Sequence, residues 1–239
     1  MVQQFPESPE VKEALSKAKS TLLEEDDTQK GRRLSKIGRE KEALPYLKKA
    51  VKNSSDGSDY YWLGRTLAQL GKSKEALPYL RVAVGLRGDK VDYNWLGSTL
   101  AQMGRESEAV PYLEKAIELR GDGLDYSWMG STLSRLGRTE EALPHLKKAV
   151  ELRGSGLDYS MLGKILSNLD RKKEAIPYLK KAVELRGVGL DYHWLGSTLV
   201  QLQHYEEALS YLEKAVELRG TALDKNWLKK CKEYLKIKD

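Results

Sequence analysis

A chain of 239 residues with net charge +6, 40% hydrophobic and 32% charged, its charges interspersed, has the composition of a folded soluble protein rather than a disordered one. No run of 18 or more apolar residues occurs, which excludes a membrane-spanning helix, and Met1 to Ser20 lacks the apolar core of a secretory signal. A lone Cys231 excludes an internal disulfide and fits a reducing compartment, so a cytoplasmic location is expected.

Charge is unevenly placed along the chain. Residues 1–27 are acidic, 28–52 and 224–239 are basic, and the middle is balanced. Basic ends either attract an acidic partner or simply form solvated helix surface. Ser8-Pro9-Glu10 predicts a helix start, with Ser as N-cap, Pro at the first helical position and an acid in the first turn. Val11, Ala14, Leu15, Ala18 and Leu22 then recur at helical spacing. This N-terminal capping helix is assigned to 1–23.

Beyond it the chain repeats every 33 residues. An Asp recurs as Asp59, Asp92, Asp125, Asp158, Asp191 and Asp224, and Tyr follows it in all but the last. Two residues after the Tyr position come Trp62, Trp95, Trp128, Met161, Trp194 and, in the final copy, Trp227. A period in this range means stacked units, none of which buries its apolar face alone. The repeats fall at 24–56, 57–89, 90–122, 123–155, 156–188 and 189–221, followed by a C-terminal capping helix over 222–239.

Each repeat carries two helical patterns. The first ends on a Leu-Gly such as Leu70-Gly71, where Gly suits a left-handed residue. The second, nearly intact from Glu141 to Gly154, ends on Gly88, Gly121, Gly154, Gly187 or Gly220, each preceded by an Arg that favours a helix C-terminus. Pro45, Pro78, Pro111, Pro144 and Pro177 lie inside the second pattern. With a helix start near Ser73, Pro78 deletes about one early backbone bond, milder than the roughly 3 kcal/mol of a mid-helix proline. Ala43, Ala76, Ala109, Ala142, Ala175 and Ala208, with a second Ala seven residues on, form a small-residue face. It is expected to meet Gly31, Gly64, Gly97, Gly130, Gly163 and Gly196 of the first helices.

Leu63, Gly64, Leu67, Gly71, Ala76, Leu80 and Ala83 match the spacing of the tetratricopeptide repeat, whose signature is W-x₂-L-G-x₂-Y with later alanines, and residues 24–221 resemble that family. The resemblance implies an all-α fold, a right-handed α-solenoid of antiparallel helix pairs, here called the TPR superhelix. Departures are visible. Each unit is one residue short of the usual 34, Gly replaces the closing Pro, and Tyr60, Tyr93, Tyr126, Tyr159 and Tyr192 hold the usual Trp place while Trp is displaced by two. Asp170 and Gln203 replace the turn Gly, and repeat 1 is degenerate, with Asp27 and Lys30 at the Tyr and Leu places, so fraying of its first helix is expected.

In this family the first helices line an inner groove. The resemblance carries the groove positions onto Tyr61-Trp62-Arg65-Gln69, Asn94-Trp95-Ser98-Gln102, Ser127-Trp128-Ser131-Arg135, Ser160-Met161-Lys164-Asn168 and His193-Trp194-Ser197-Gln201. That is an aromatic ladder flanked by hydroxyls and amides, a composition typical of recognition surfaces. The competing reading buries each Trp between repeats. The subclass that clamps chaperone C-terminal carboxylates needs Lys where Tyr61, Asn94, Ser127, Ser160 and His193 stand, which argues against such a clamp.

Catalytic signatures do not appear. His145, His193 and His204 fall at different repeat positions without metal-ligand spacing, no phosphate-binding or nucleophile-elbow motif occurs, and Cys231 in a Lys-rich helix is expected to be a passive thiol. The expected function is a non-enzymatic scaffold, without cofactor or metal, binding a peptide or partner segment along the groove. The alternative is self-assembly through end-to-end or lateral repeat contacts. Single-stranded RNA binding, by base stacking beside cations, is disfavoured by the balanced charge of the central repeats.

Overall fold

The computed structural model describes residues 26–52 and 54–236, and the predicted helix from Ser8 to Leu22 lies outside them. The chain divides into two compact units, Met1–Gly88 and Asp89–Asp239. Among the described residues there are thirteen α-helices and no strand.

In the first unit α1 (Asp27–Lys36) packs on α2 (Glu40–Ala50) and α3 (Gly57–Gln69) on α4 (Ser73–Leu86), with α2 also against α3. Degenerate repeat 1 therefore holds its first helix, and the Asp26 side chain caps it. The second unit continues with α5 (Lys90–Gln102), α6 (Glu106–Arg120), α7 (Gly123–Arg135), α8 (Thr139–Leu152), α9 (Gly156–Asn168), α10 (Lys172–Arg186), α11 (Gly189–Gln201), α12 (Tyr205–Leu218) and α13 (Ala222–Leu235). Three-residue turns join the members of each pair and so make them antiparallel neighbours. Each second helix then packs on the first helix of the next repeat, from α6 on α7 through α12 on α13. The result is a helical solenoid.

The turns explain where helices stop. Gly38, Gly71, Gly104 and Gly137 take left-handed φ angles, as a helix-ending Gly does. Asp170 (φ 59°) and Gln203 (φ 64°) adopt the same conformation without the freedom of Gly. Helix boundaries there are unchanged, because the packed helices on either side outweigh the roughly 1–2 kcal/mol that a left-handed residue costs. Each proline is the sixth residue of a continuous helix, as Pro78 is in α4. The carbonyl it leaves unpaired belongs to the helix's second residue, close to solvent at the start.

Alanines Ala43, Ala76, Ala109, Ala142, Ala175 and Ala208 are fully buried, as the pattern requires. The close contact of the helix pair differs from expectation. A Cβ on Gly130 would stand 2.6 Å from Cγ of Leu146 and 3.4 Å from the Ala142 carbonyl oxygen, and the other first-helix glycines meet Leu47, Leu80, Leu113, Leu179 and Leu212 in the same way. Glycine is needed because the leucine one turn after the alanine in the second helix, itself fully buried, fills the space. Tyr93 stacks on Tyr112 at 6.4 Å, with the same pairing at Tyr159–Tyr178 and Tyr192–Tyr211 and His145 replacing the second ring beside Tyr126. These tyrosines thus pin the two helices of one repeat together.

Candidate functional site

In the second unit the first helices of successive repeats approach one another: α5 and α7, α7 and α9, α9 and α11, α11 and α13. Successive second helices make no such approach among the described residues. Stacking that brings one set of helices closer than the other curves the stack, with the first helices on its inner side. The residues carried on their exposed positions form the candidate binding face.

The recurring Asp sits three residues into each first helix and is buried. In α5, α7, α9 and α13 it forms a capping box with Asp89, Asp122, Ser155 or Thr221 as N-cap. Its other oxygen reaches back to the preceding repeat. Asn94 Nδ2 donates to Asp125 Oδ1 at 2.5 Å, Ser160 Oγ to Asp191 Oδ1 at 2.6 Å, and His193 Nδ1 lies 2.7 Å from Asp224 Oδ1. With Asp224 ionised, His193 is the donor. At Asp158, Asp191 and Asp224 the Arg at the end of the preceding second helix closes the node. Arg153 donates to both oxygens of Asp158 at 2.5 and 2.8 Å and to Ser127 Oγ at 3.2 Å, while Arg186 and Arg219 lie 3.5 and 3.7 Å from Asp191 and Asp224. Lys90 serves Asp125 at 3.1 Å. The first unit has a related node, with Arg32 and Ser54 each donating to Asp59 at 2.6 Å.

These contacts set the carboxyl groups apart. Burial pushes Asp158 and Asp224 up, but bonds from Arg153 and Ser155 to the first, and from Thr221 and His193 with the charge of Arg219 to the second, outweigh it and hold both below the usual carboxylate range. At Asp125 burial wins and the carboxyl is raised. Burial likewise lowers His193 and keeps the ring neutral, the Asp224 contact opposing it.

One rung lacks part of this arrangement. Val188 stands at the N-cap of α11 without a side-chain bond, and Asp191 Oδ2 is buried without a hydrogen-bond donor. In α9 the Ser155 hydroxyl donates to the equivalent Asp158 oxygen at 2.7 Å. Val188→Ser is therefore expected to stabilise the second unit by about 1 kcal/mol, the usual worth of an N-cap. A rise in urea midpoint at constant m-value checks it.

The nodes decide which predicted groove residues remain available. Tyr61, Asn94, Ser98, Ser127 and His193, with Ser160 and Ser197, are buried, Asn94 at 7% and His193 at 4% exposure, so they do not line an open surface. The reason is physical: Asn94, Ser160 and His193 bond the next repeat's Asp, Ser127 bonds Arg153, Ser98 and Ser197 bond the carbonyls of Trp95 and Trp194 at 3.3 Å, and the Tyr61 ring lies 5.0 Å from the Arg87 guanidinium. Gln69, Gln102, Arg135, Lys164, Asn168 and Gln201 are exposed. Trp62, Arg65, Trp95, Trp128, Ser131, Met161 and Trp194 are half-buried, so the tryptophans are neither sealed in the stack nor free of it. Several carry a cation. In the second unit Lys164 Nζ lies 5.4 Å from the Trp194 ring centre and Lys230 Nζ 5.2 Å from that of Trp227, and in the first unit Arg65 and Lys36 lie 4.8 and 5.4 Å from Trp62.

The Asp node leaves a signal in the sequence that helical periodicity does not carry. A polar residue stands 31 positions before each Asp at Asn94, Ser127, Ser160 and His193, and Ser or Asp three residues before the Asp at 89, 122 and 155 spells a capping box. Cys231 is buried, donates to the Tyr205 carbonyl at 3.2 Å and is raised by burial, the opposite of a reactive thiolate. Among the described residues no cluster of His, Cys, Asp and Glu is placed to hold a metal ion, and no helix is long and apolar enough to cross a membrane.

Family models described as tetratricopeptide repeat match residues 28–90, 93–122, 126–155, 159–187 and 192–221. No curated protein sequence matches the chain. Among solved structures it is similar to YrrB, described as a TPR protein with an unusual peptide-binding site, with TM-score 0.65 and 24% identity over 77% of this chain and 97% of that one. It is similar to MamA AMB-1, with TM-score 0.61 and 27% identity over 66% of this chain and 96% of that one. Cut9–Hcn1, an APC/C hetero-tetramer, aligns at TM-score 0.74 and 17% identity over 93% of this chain but 46% of that one. With the same repeat found in register along most of its length, this chain belongs to the tetratricopeptide repeat family.

Proposed function

We propose that the protein is a non-enzymatic scaffold that holds a peptide segment of a partner protein along the first helices of its second unit. The observation that carries this reading is the row of half-buried Trp95, Trp128, Met161 and Trp194 on the inner helices, beside exposed Gln102, Asn168 and Gln201. Large flat side chains already half fixed lose little freedom on contact, and flanking amides pair with a peptide main chain. YrrB, similar in fold, is itself described as having a peptide-binding site.

The test is retention of peptides from an immobilised random library by the wild type and by a Trp95→Ala, Trp128→Ala double variant. Loss of retention with an unchanged helical spectrum supports the reading. Retained peptides, or an unfolded variant, move the tryptophans to a purely structural role.

A second reading, lateral self-association, is favoured by a different row. Leu119, Leu152, Leu185 and Leu218, in the last turns of second helices, and Leu124, Leu157, Leu190 and Leu223, in the first turns of first helices, are 43–53% exposed. Light scattering across concentration decides this, since a constant monomer mass excludes it.

A further inference from the structure

The chemistry of the inner helices narrows what lies on them. In the second unit α5, α7, α9 and α11 carry one acid each, Asp92, Asp125, Asp158 and Asp191, and all four are buried. The exposed acid on this set of helices is Glu233 of α13, which lies 3.8 Å from Lys229. The second helices are different: α6 alone carries Glu106, Glu108, Glu114 and Glu118. Exposed positive charge on the inner helices is thus not balanced by exposed negative charge on the same helices.

Two of these cations, Lys164 and Lys230, are set over tryptophan faces, Trp194 and Trp227. Lys230 also borders a concavity of about 530 Å³ with Asn226, Lys229, Glu233 and Tyr234. A lysine on a ring face keeps its remaining donors outward while the ring supplies apolar area beneath, so each such pair offers one charge and one apolar contact at a single point. We propose that this face takes an acidic segment of a partner protein, with Asp or Glu side chains alternating with apolar ones; the proposal rests on the peptide-binding reading above. Carboxylates meet Lys164 and Lys230, apolar side chains meet Trp194, Met161 and Trp227, and the Asn168 and Gln201 amides meet the main chain.

A single-stranded nucleic acid fits less well. Its phosphates need a continuous track of cations, and between Lys164 and Lys230 the intervening helix α11 carries none. Arg135 is held by Glu106 at 2.8 Å, and Lys90 by Asp122 and Asp125.

Fluorescence anisotropy of the full chain with labelled probes tests this. The probes are a peptide of alternating Glu and Leu, its Gln-Leu and Lys-Leu counterparts, and oligouridylate. The Glu-Leu peptide is expected to bind roughly tenfold tighter than the Gln-Leu peptide at low salt and to lose most of that margin at high salt. Lys164→Gln with Lys230→Gln should abolish the margin while the helical spectrum stays unchanged. Equal binding of the Glu-Leu and Gln-Leu peptides, both lost in the Trp95→Ala, Trp128→Ala variant, overturns the acidic preference and leaves the peptide reading standing. Tighter binding of oligouridylate than of any peptide, with a steep salt dependence, overturns both. So does absence of binding by every probe.

Discussion

Asp158→Ala is expected to destabilise the second unit by about 3 kcal/mol, the lower end of the range for breaking a buried ion pair, because Arg153 keeps 31% of its side chain in solvent. The carboxylate joins two helix ends. It accepts from the Ser155 backbone and hydroxyl at the start of α9 and from Arg153 at the end of α8, and Arg153 in turn bonds Ser127 on α7. Alanine leaves the Arg153 guanidinium, the Ser155 backbone N–H and the Ser155 hydroxyl without their acceptor. Ser127→Ala removes the acceptor that Arg153 finds on α7 and should cost about 1 kcal/mol.

The same carboxylate gives the effect its pH dependence. Its folded pKa is lowered, so its contribution is fully present above the unfolded value of about 3.9 and is lost as pH falls through the folded value. Asp224 acts in the same direction, whereas Asp125, raised on folding, acts in the opposite one. Urea titrations between neutral pH and pH 3 should therefore show Asp158→Ala losing its deficit relative to wild type only below about pH 4. An unchanged difference at acid pH would show that packing, not charge, sets the loss.

Gly130→Val should cost about 3 kcal/mol, at the upper end of overpacking. Its Cβ would lie 2.6 Å from Leu146 Cγ, and Leu146 is fully buried with no room to turn. Gly130→Ala brings the same first clash but gains up to about 1 kcal/mol of helix propensity, so its net loss should be smaller, about 1 kcal/mol. Gly85 in α4 is the control. Nothing lies within 4 Å of a Cβ placed there, so Gly85→Ala should stabilise by about 0.5 kcal/mol, less than an interior glycine because the position is next to last in its helix. Thermal melts of the three variants order as Val below Ala below wild type below Gly85→Ala. Any loss at Gly85, or none at Gly130→Val, sinks the packing account.

The fold was legible because 33-residue self-similarity repeats every local signal several times. A turn glycine alone is ambiguous; Gly38, Gly71, Gly104 and Gly137 at fixed spacing are not. Even Asp170 and Gln203 follow the register set by their neighbours. The candidate face was half legible. Gln102, Lys164, Asn168 and Gln201 are exposed as the resemblance implied, but Asn94, Ser127 and His193 are not. Polarity suggested a surface, whereas Asn94 and His193 bond a buried carboxylate 31 residues ahead, and a contact of that length is invisible to helical periodicity. The terminal arginines suit the helix dipole, but Arg153 also reaches across the loop to Asp158, a contact that helical periodicity does not encode.

The node also bears on how such a chain can grow. Its donor belongs to one repeat and its acceptor to the next, and Asn94, Ser160 and His193 all fill the donor place. Amide, hydroxyl and imidazole are interchangeable there because the aspartate asks only for one hydrogen. A copy of residues 156–188 inserted after Val188 would bring one new acceptor for Ser160 and one new donor for Asp191, keeping the pairing whole at both seams. Duplication by whole repeats is therefore neutral at the junction, while a gain or loss of any other length would put the aspartate at the seam opposite the wrong residue.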